Sequence, residues 1–87
     1  MINPNYRIIG FGENEYGFFN RPIFSSNKQE AIEIYDELYA EPEIDGAVMI
    51  ESLHEDWQVI YEFGTEDVEV VFTPVGTFKV VKYSGAL

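Results

Sequence analysis

His54 is the only histidine in the chain, and it lies among Glu51, Glu55 and Asp56. An imidazole beside carboxylates can ligate a metal or relay a proton. No second histidine and no cysteine accompany it, and it falls in a stretch that reads as a hairpin turn, so a solvated turn residue is the expected role. The hydroxyl nucleophiles on offer are Ser25, Ser26, Ser52 and Ser84. A serine needs a positioned base to attack at neutral pH, and only His54 is of that type. Paired carboxylates are abundant, but acid–base work requires a cleft, for which a chain of 87 residues has little room. The loop Glu41-Pro42-Glu43-Ile44-Asp45-Gly46 has the oxygen-rich composition of a weak calcium loop without the EF-hand ligand pattern. The expectation is therefore no catalytic residue, no metal and no cofactor.

Residues 10–17, GFGENEYG, invite two further readings. A dinucleotide-binding fingerprint needs glycine where Glu15 stands, and a helix where the composition favours a strand. The aromatic texture of Phe11, Tyr16, Phe18 and Phe19 suits an RNA-stacking strand. The cations that would hold a phosphate backbone are missing, and Glu13 and Glu15 would repel it. Hairpin and core packing is the expected role of these rings.

The strongest chemical signal is the distribution of charge. Sixteen acids against five bases give a net charge of −11 and a pI near 4.1. Such a protein is repelled by nucleic acid and by anionic membranes, and attracts a cationic partner. The charge is polarised along the chain. Residues 30–69 hold fourteen acids and no Lys or Arg, whereas residues 70–87 hold no acid. The bases are Arg7, Arg21, Lys28, Lys79 and Lys82.

The elements that carry these charges follow from periodicity and turn chemistry. Residues 5–11 read as a strand, 12–15 as a turn and 16–19 as the returning strand, extended past Pro22 to Phe24 only as an edge or a break. Ser26 and Gln29 fit a capping box, which opens a helix that stops near Ala40 because Glu41 precedes Pro42. Ala31, Ile34, Tyr35 and Leu38 form its apolar stripe, widened by Ile32 and Tyr39, with Glu30, Glu33, Glu37 and Glu41 opposite. Four strands are expected after it, over residues 47–53, 57–63, 68–73 and 78–83. In the second of these, Trp57, Val59, Tyr61 and Phe63 should share a face. The adjacent Val70 and Val71 suggest a strand covered on both sides or bulged. The order β-β-α-β-β-β-β, joined by short turns, predicts an α+β fold: an antiparallel sheet of five to six strands with one amphipathic helix on a face.

Residues 1–87 form a single domain, apolar enough at 46% to build an aromatic-rich core without disulfides. The N-terminal residues have no basic segment followed by an apolar one, and no apolar run approaches the roughly 20 residues that span a bilayer. A cytoplasmic protein is expected.

On the helix, like-charged pairs three or four residues apart each cost roughly 0.2–0.5 kcal/mol. Acids near its C-terminus oppose the macrodipole at about 0.3–1 kcal/mol each. These penalties share one sign, and a helix selected for stability alone would relieve them with Lys or Arg. In size, in the base-free stretch Glu30–Glu69 and in its compact α+β order, the chain resembles small phage- or plasmid-borne inhibitors of nucleic-acid enzymes. These include the uracil-DNA glycosylase inhibitor, acidic anti-CRISPR proteins and DNA-mimic anti-restriction proteins. The resemblance implies a non-enzymatic inhibitor that binds the basic surface of a nuclease or CRISPR effector and competes with nucleic acid. The acids expected to bind that partner are Glu30, Glu33, Asp36, Glu37, Glu41, Glu43 and Asp45, with Glu66 and Asp67. Two alternatives stand beside it: an immunity protein for a basic nuclease toxin, and an adaptor that pairs with itself through an edge strand at residues 78–83.

Overall fold

The computed structural model describes residues 5–53, 56–72 and 78–83. Its elements, in order, are β1 (Asn5–Asn14), β2 (Gly17–Ser25), α1 (Lys28–Ala40), β3 (Gly46–Leu53), β4 (Asp56–Phe63), β5 (Val68–Phe72) and β6 (Phe78–Lys82). The α+β class and the order expected from the sequence are both present. The strands divide into a four-stranded sheet, β2-β1-β3-β4, and a two-stranded hairpin, β5-β6, antiparallel throughout.

The central strands β1 and β3 explain the layering. Side chains alternate across a strand, and in these two both faces are apolar. Tyr6, Ile8, Ala47 and Met49 pack with Ala31, Leu38 and Ile44 beneath α1. Ile9, Phe11, Val48 and Ile50 pack with Val68 and Val80 of the hairpin on the opposite face. The result is three layers, with α1 on one side of the sheet and the β5–β6 hairpin on the other.

The first hairpin is longer than expected. Gly12 is not in the turn: it pairs with Phe19 inside the ladder, and a Cβ there would collide with the backbone of Glu43. Its glycine serves close approach rather than reversal of the chain. The turn falls at Glu15-Tyr16, where the Tyr16 N–H donates to Asn14 Oδ1 at 2.8 Å and Gly17 takes φ 115°. Pro22 lies opposite Ile9 on the edge strand β2, where its missing N–H costs the ladder nothing.

The helix start lies one residue beyond the expected cap. Asn27, not Ser26, is N-cap, with φ −118° and ψ 120°, and its side chain accepts the Glu30 N–H at 2.9 Å. Ser25 fixes this choice. Its hydroxyl accepts the Asn27 N–H at 3.1 Å and lies 3.3 Å from Glu30 Oε1. Glu30 rather than Gln29 thus stands at N3, an acid in the favoured first turn. The helix ends at Ala40 as expected, with Glu41 extended before Pro42.

The shared face expected on β4 is overturned by a β-bulge. Met49 pairs with Tyr61 and Ile50 with Val59, which leaves Ile60 as the extra residue. Trp57 packs on the hairpin side, whereas Ile60 and Phe63 pack on the helix side and Tyr61 lies 5.8 Å from Tyr35. One inserted residue switches the face of everything after it. β5 shows no such shift in its pairing with β6; Val70 packs on the sheet and its neighbour Val71 is half-buried.

Candidate functional site

The acids predicted to bind a partner fall into three groups. Glu30, Glu33, Asp36 and Glu37 project from α1 and are exposed. Glu41 and Glu43 lie in the loop after it. Asp45 and Asp67 sit near Lys82 at the end of the sheet that carries the first turn, and Glu66 is exposed in the turn before β5.

Two of these groups contain a cation that linear spacing concealed. Arg21, on edge strand β2, reaches across to the acidic loop, with Nη1 2.9 Å from Glu41 Oε1 and Nη2 2.8 Å from Glu43 Oε1. The guanidinium holds the Glu43 carboxyl below the usual carboxylate range, and Glu41 and Glu43 in turn push Arg21 upward. Lys82 donates to Glu13 at 2.7 Å. That bond chiefly raises Lys82, and Asp67 and Asp45 add weaker attraction. Residues 30–69 are base-free in sequence, but the fold brings Arg21 of β2 against Glu41 and Glu43 and Lys82 of β6 near Asp45 and Asp67. All these pairs are exposed, so each contributes little to stability.

The group on α1 is different. Glu30 is engaged at its own helix start. Glu33, Asp36 and Glu37 have no cation within ion-pair distance among the described residues, and the last helical turn has no basic residue. Beside them stand three tyrosines that charge counting overlooks. Tyr39 is 69% exposed although its ring meets Phe63 at 4.8 Å, and Tyr61 is 47% exposed beside Tyr35. The Tyr35 hydroxyl is pushed up, mainly by burial and then by Glu62, Asp36 and Tyr39. The signal was in the sequence: Tyr35 and Tyr39 are i and i+4 on the helix, and the bulge turns Tyr61 toward them. Exposed tyrosines beside carboxylates form a surface suited to Lys and Arg, by charge and by cation–π contact.

Of the candidate nucleophiles, Ser25 is engaged in structure. Ser25 is buried, and its hydroxyl donates to the Asn27 carbonyl at 3.0 Å, at the helix start. Ser52 is buried in β3 and Ser26 is exposed. Ser84, His54 and Glu55 lie outside the described residues. Glu51 is taken by the Tyr6 hydroxyl at 3.0 Å, a group pushed up first by its burial. Among the described residues no group of three or more His, Asp or Glu is placed to hold a metal ion, and no helix is long and apolar enough to cross a membrane.

Comparison of the chain with protein families, with curated proteins and with solved structures finds no match. The functional reading rests on the fold and on this surface.

Proposed function

We propose that the protein is a non-enzymatic inhibitor that binds the basic surface of a nucleic-acid-handling protein, a nuclease or a CRISPR effector, and excludes nucleic acid from it. The observation that carries the reading is the outward face of α1. Glu33, Asp36 and Glu37 are exposed and have no cation within ion-pair distance among the described residues, on the helix that also carries the exposed Tyr39 and, through Tyr35, meets the exposed Tyr61. Such a face offers a basic groove both counter-charge and rigid aromatic anchors. Glu41 and Glu43, clamped by Arg21, take a secondary part, since their charge is already half-balanced. Glu30, Asp45, Glu66 and Asp67 extend the field that steers encounter. The site of action is the cytoplasm of a host cell, where such targets work.

The test is capture of partners from host lysate at low and high salt, followed by competition with DNA or RNA. Charge reversal of Glu33, Asp36 and Glu37 to Lys should weaken the captured complex by about tenfold or more. Reversal of Glu41 and Glu43 should weaken it less. Binding that survives the first reversal unchanged, or that is indifferent to salt and to nucleic acid, refutes the reading.

A further inference from the structure

The layer opposite α1 holds a feature of the other polarity. Beside the β5–β6 hairpin, Arg7, Ile9, Pro22, Ile23, Phe24 and Phe78 line a cavity of about 380 Å³. Its walls are apolar except for one cation. The sheet places it there: Arg7 lies across from Phe24 and Ile9 across from Pro22, and these four residues share the hairpin face.

The state of Arg7 is unusual for this chain. Its guanidinium carbon sits 4.3 Å from the ring centre of Phe24 and 5.3 Å from that of Trp57, so the plane is held by aromatic neighbours. Its Nη1 is buried without a hydrogen-bond acceptor among the described residues. Arg21 and Lys82 each hold a carboxylate; Arg7, Lys28 and Lys79 have none among the described residues, and of these three only Arg7 is partly buried, the two lysines being exposed. Here a partly buried guanidinium, held by aromatic rings, borders an apolar hollow.

The geometry points to a binding site for a small monocarboxylic acid with an aromatic body, its carboxylate on Arg7 and its ring against Phe24 and Phe78. The planar fork of arginine matches a carboxylate. The same fork also matches phosphate, but inorganic phosphate would leave the apolar walls unused. The cavity lies toward the small end of the roughly 300–1,000 Å³ range of ligand pockets, which fits a ligand of about one ring. The site is on the face away from the α1 acids and does not rest on the inhibitor reading.

The probe is 3-phenylpropionate, titrated into the full chain and followed by amide and indole NMR shifts. The expected result is a saturable shift at Arg7, Ile23, Phe24, Phe78 and the Trp57 indole. The neutral analogue 3-phenylpropanol should bind weaker by on the order of ten- to a hundredfold, the worth of charge-assisted hydrogen bonding. Arg7→Met should abolish the preference for the acid, and Arg7→Lys should retain part of it, with folding checked by thermal melting. The comparison of acid with alcohol uses the unaltered protein and stands even where a variant fails to fold. Equal binding of the two, shifts centred elsewhere, no saturation at millimolar ligand, or equal binding of inorganic phosphate would each overturn the assignment.

Discussion

Asn20 is the residue whose replacement should reveal most about how the layers are held. It lies on β2, and its side chain grips β6: Nδ2 donates to the Val80 carbonyl at 2.9 Å, and Oδ1 accepts the Val80 N–H at 2.7 Å. One amide thus takes the place of a neighbouring strand. Val80 is 1% exposed, so water has poor access to its backbone once the amide is gone. Each bond contributes roughly 0.5–1.5 kcal/mol net, and a buried orphan group costs about 1–3 kcal/mol, so Asn20→Ala should destabilise the fold by about 2–3 kcal/mol. With a urea slope near 1 kcal/mol per molar for so small a domain, the midpoint should fall by about 2 M. Trp57 fluorescence reports it, since that ring meets Phe78 of β6 at 4.7 Å. Hydrogen exchange at the Val80 amide should rise in step. Asn20→Asp sharpens the test. Its carboxylate keeps the acceptor, loses the donor and faces the Val80 carbonyl, so folding favours the protonated form. The stability so gained is present at low pH and lost as pH rises through the folded-state titration. A loss below about 0.5 kcal/mol in Asn20→Ala, with Val80 exchange unchanged, would refute the argument. The same variant addresses self-association through β6. The Val80 groups that face away from β5 are occupied by Asn20 in the native chain, so a concentration-dependent mass should appear, if at all, only after its removal.

Three further outcomes follow from the geometry. Gly12→Ala should destabilise by about 1–3 kcal/mol in thermal or urea unfolding, because the added methyl meets the backbone of Glu43 rather than a flexible side chain. Glu43 should titrate below an ordinary glutamate by carboxyl NMR and return to normal in Arg21→Gln. Its folded-state value is depressed, so whatever stability the pair supplies is present above the ordinary carboxylate range and lost as pH falls through the folded value. Glu37→Lys should raise stability by about 0.5–1 kcal/mol, through a new pair with Glu33 one turn earlier and relief at the helix C-terminus, while weakening binding of the proposed basic partner; unchanged melting temperature and unchanged binding together would contradict both arguments.

The features read correctly from sequence were those decided locally. Pro42 forces Glu41 out of the helix whatever lies around it, and the apolar stripe of α1 follows from spacing alone. The misreadings arose where a partner strand decides. Gly12 looks like a turn glycine, but the loop that crosses it belongs to residue 43. Trp57, Val59, Tyr61 and Phe63 alternate perfectly, yet the pairing of Met49 and Ile50 inserts Ile60 as a bulge and breaks their common face. Ser25, Ser26 and Asn27 are all competent caps, and hydrogen bonding within the trio, not propensity, selects Asn27.

The same distinction sharpens the acidic surface. A run without bases in sequence is not a region without bases in space, because an antiparallel sheet returns distant residues to its edges. Arg21 accounts for Glu41 and Glu43, Lys82 for Glu13, Tyr6 for Glu51 and the Ser25 hydroxyl at the helix start for Glu30. Among the acids that no cation within ion-pair distance balances in the described residues, Glu33, Asp36 and Glu37 stand apart because they lie at spacings of three and four on one helix, where they repel each other. Selection for solubility is indifferent to where charge sits, and would be served as well by acids spaced apart. Three carboxylates that destabilise their own helix, set beside tyrosines that leave much of their surface in water, are what the proposed contact with a basic partner would account for. The discriminating property is the opposition of stability and binding at one residue, which a merely solvated face does not produce.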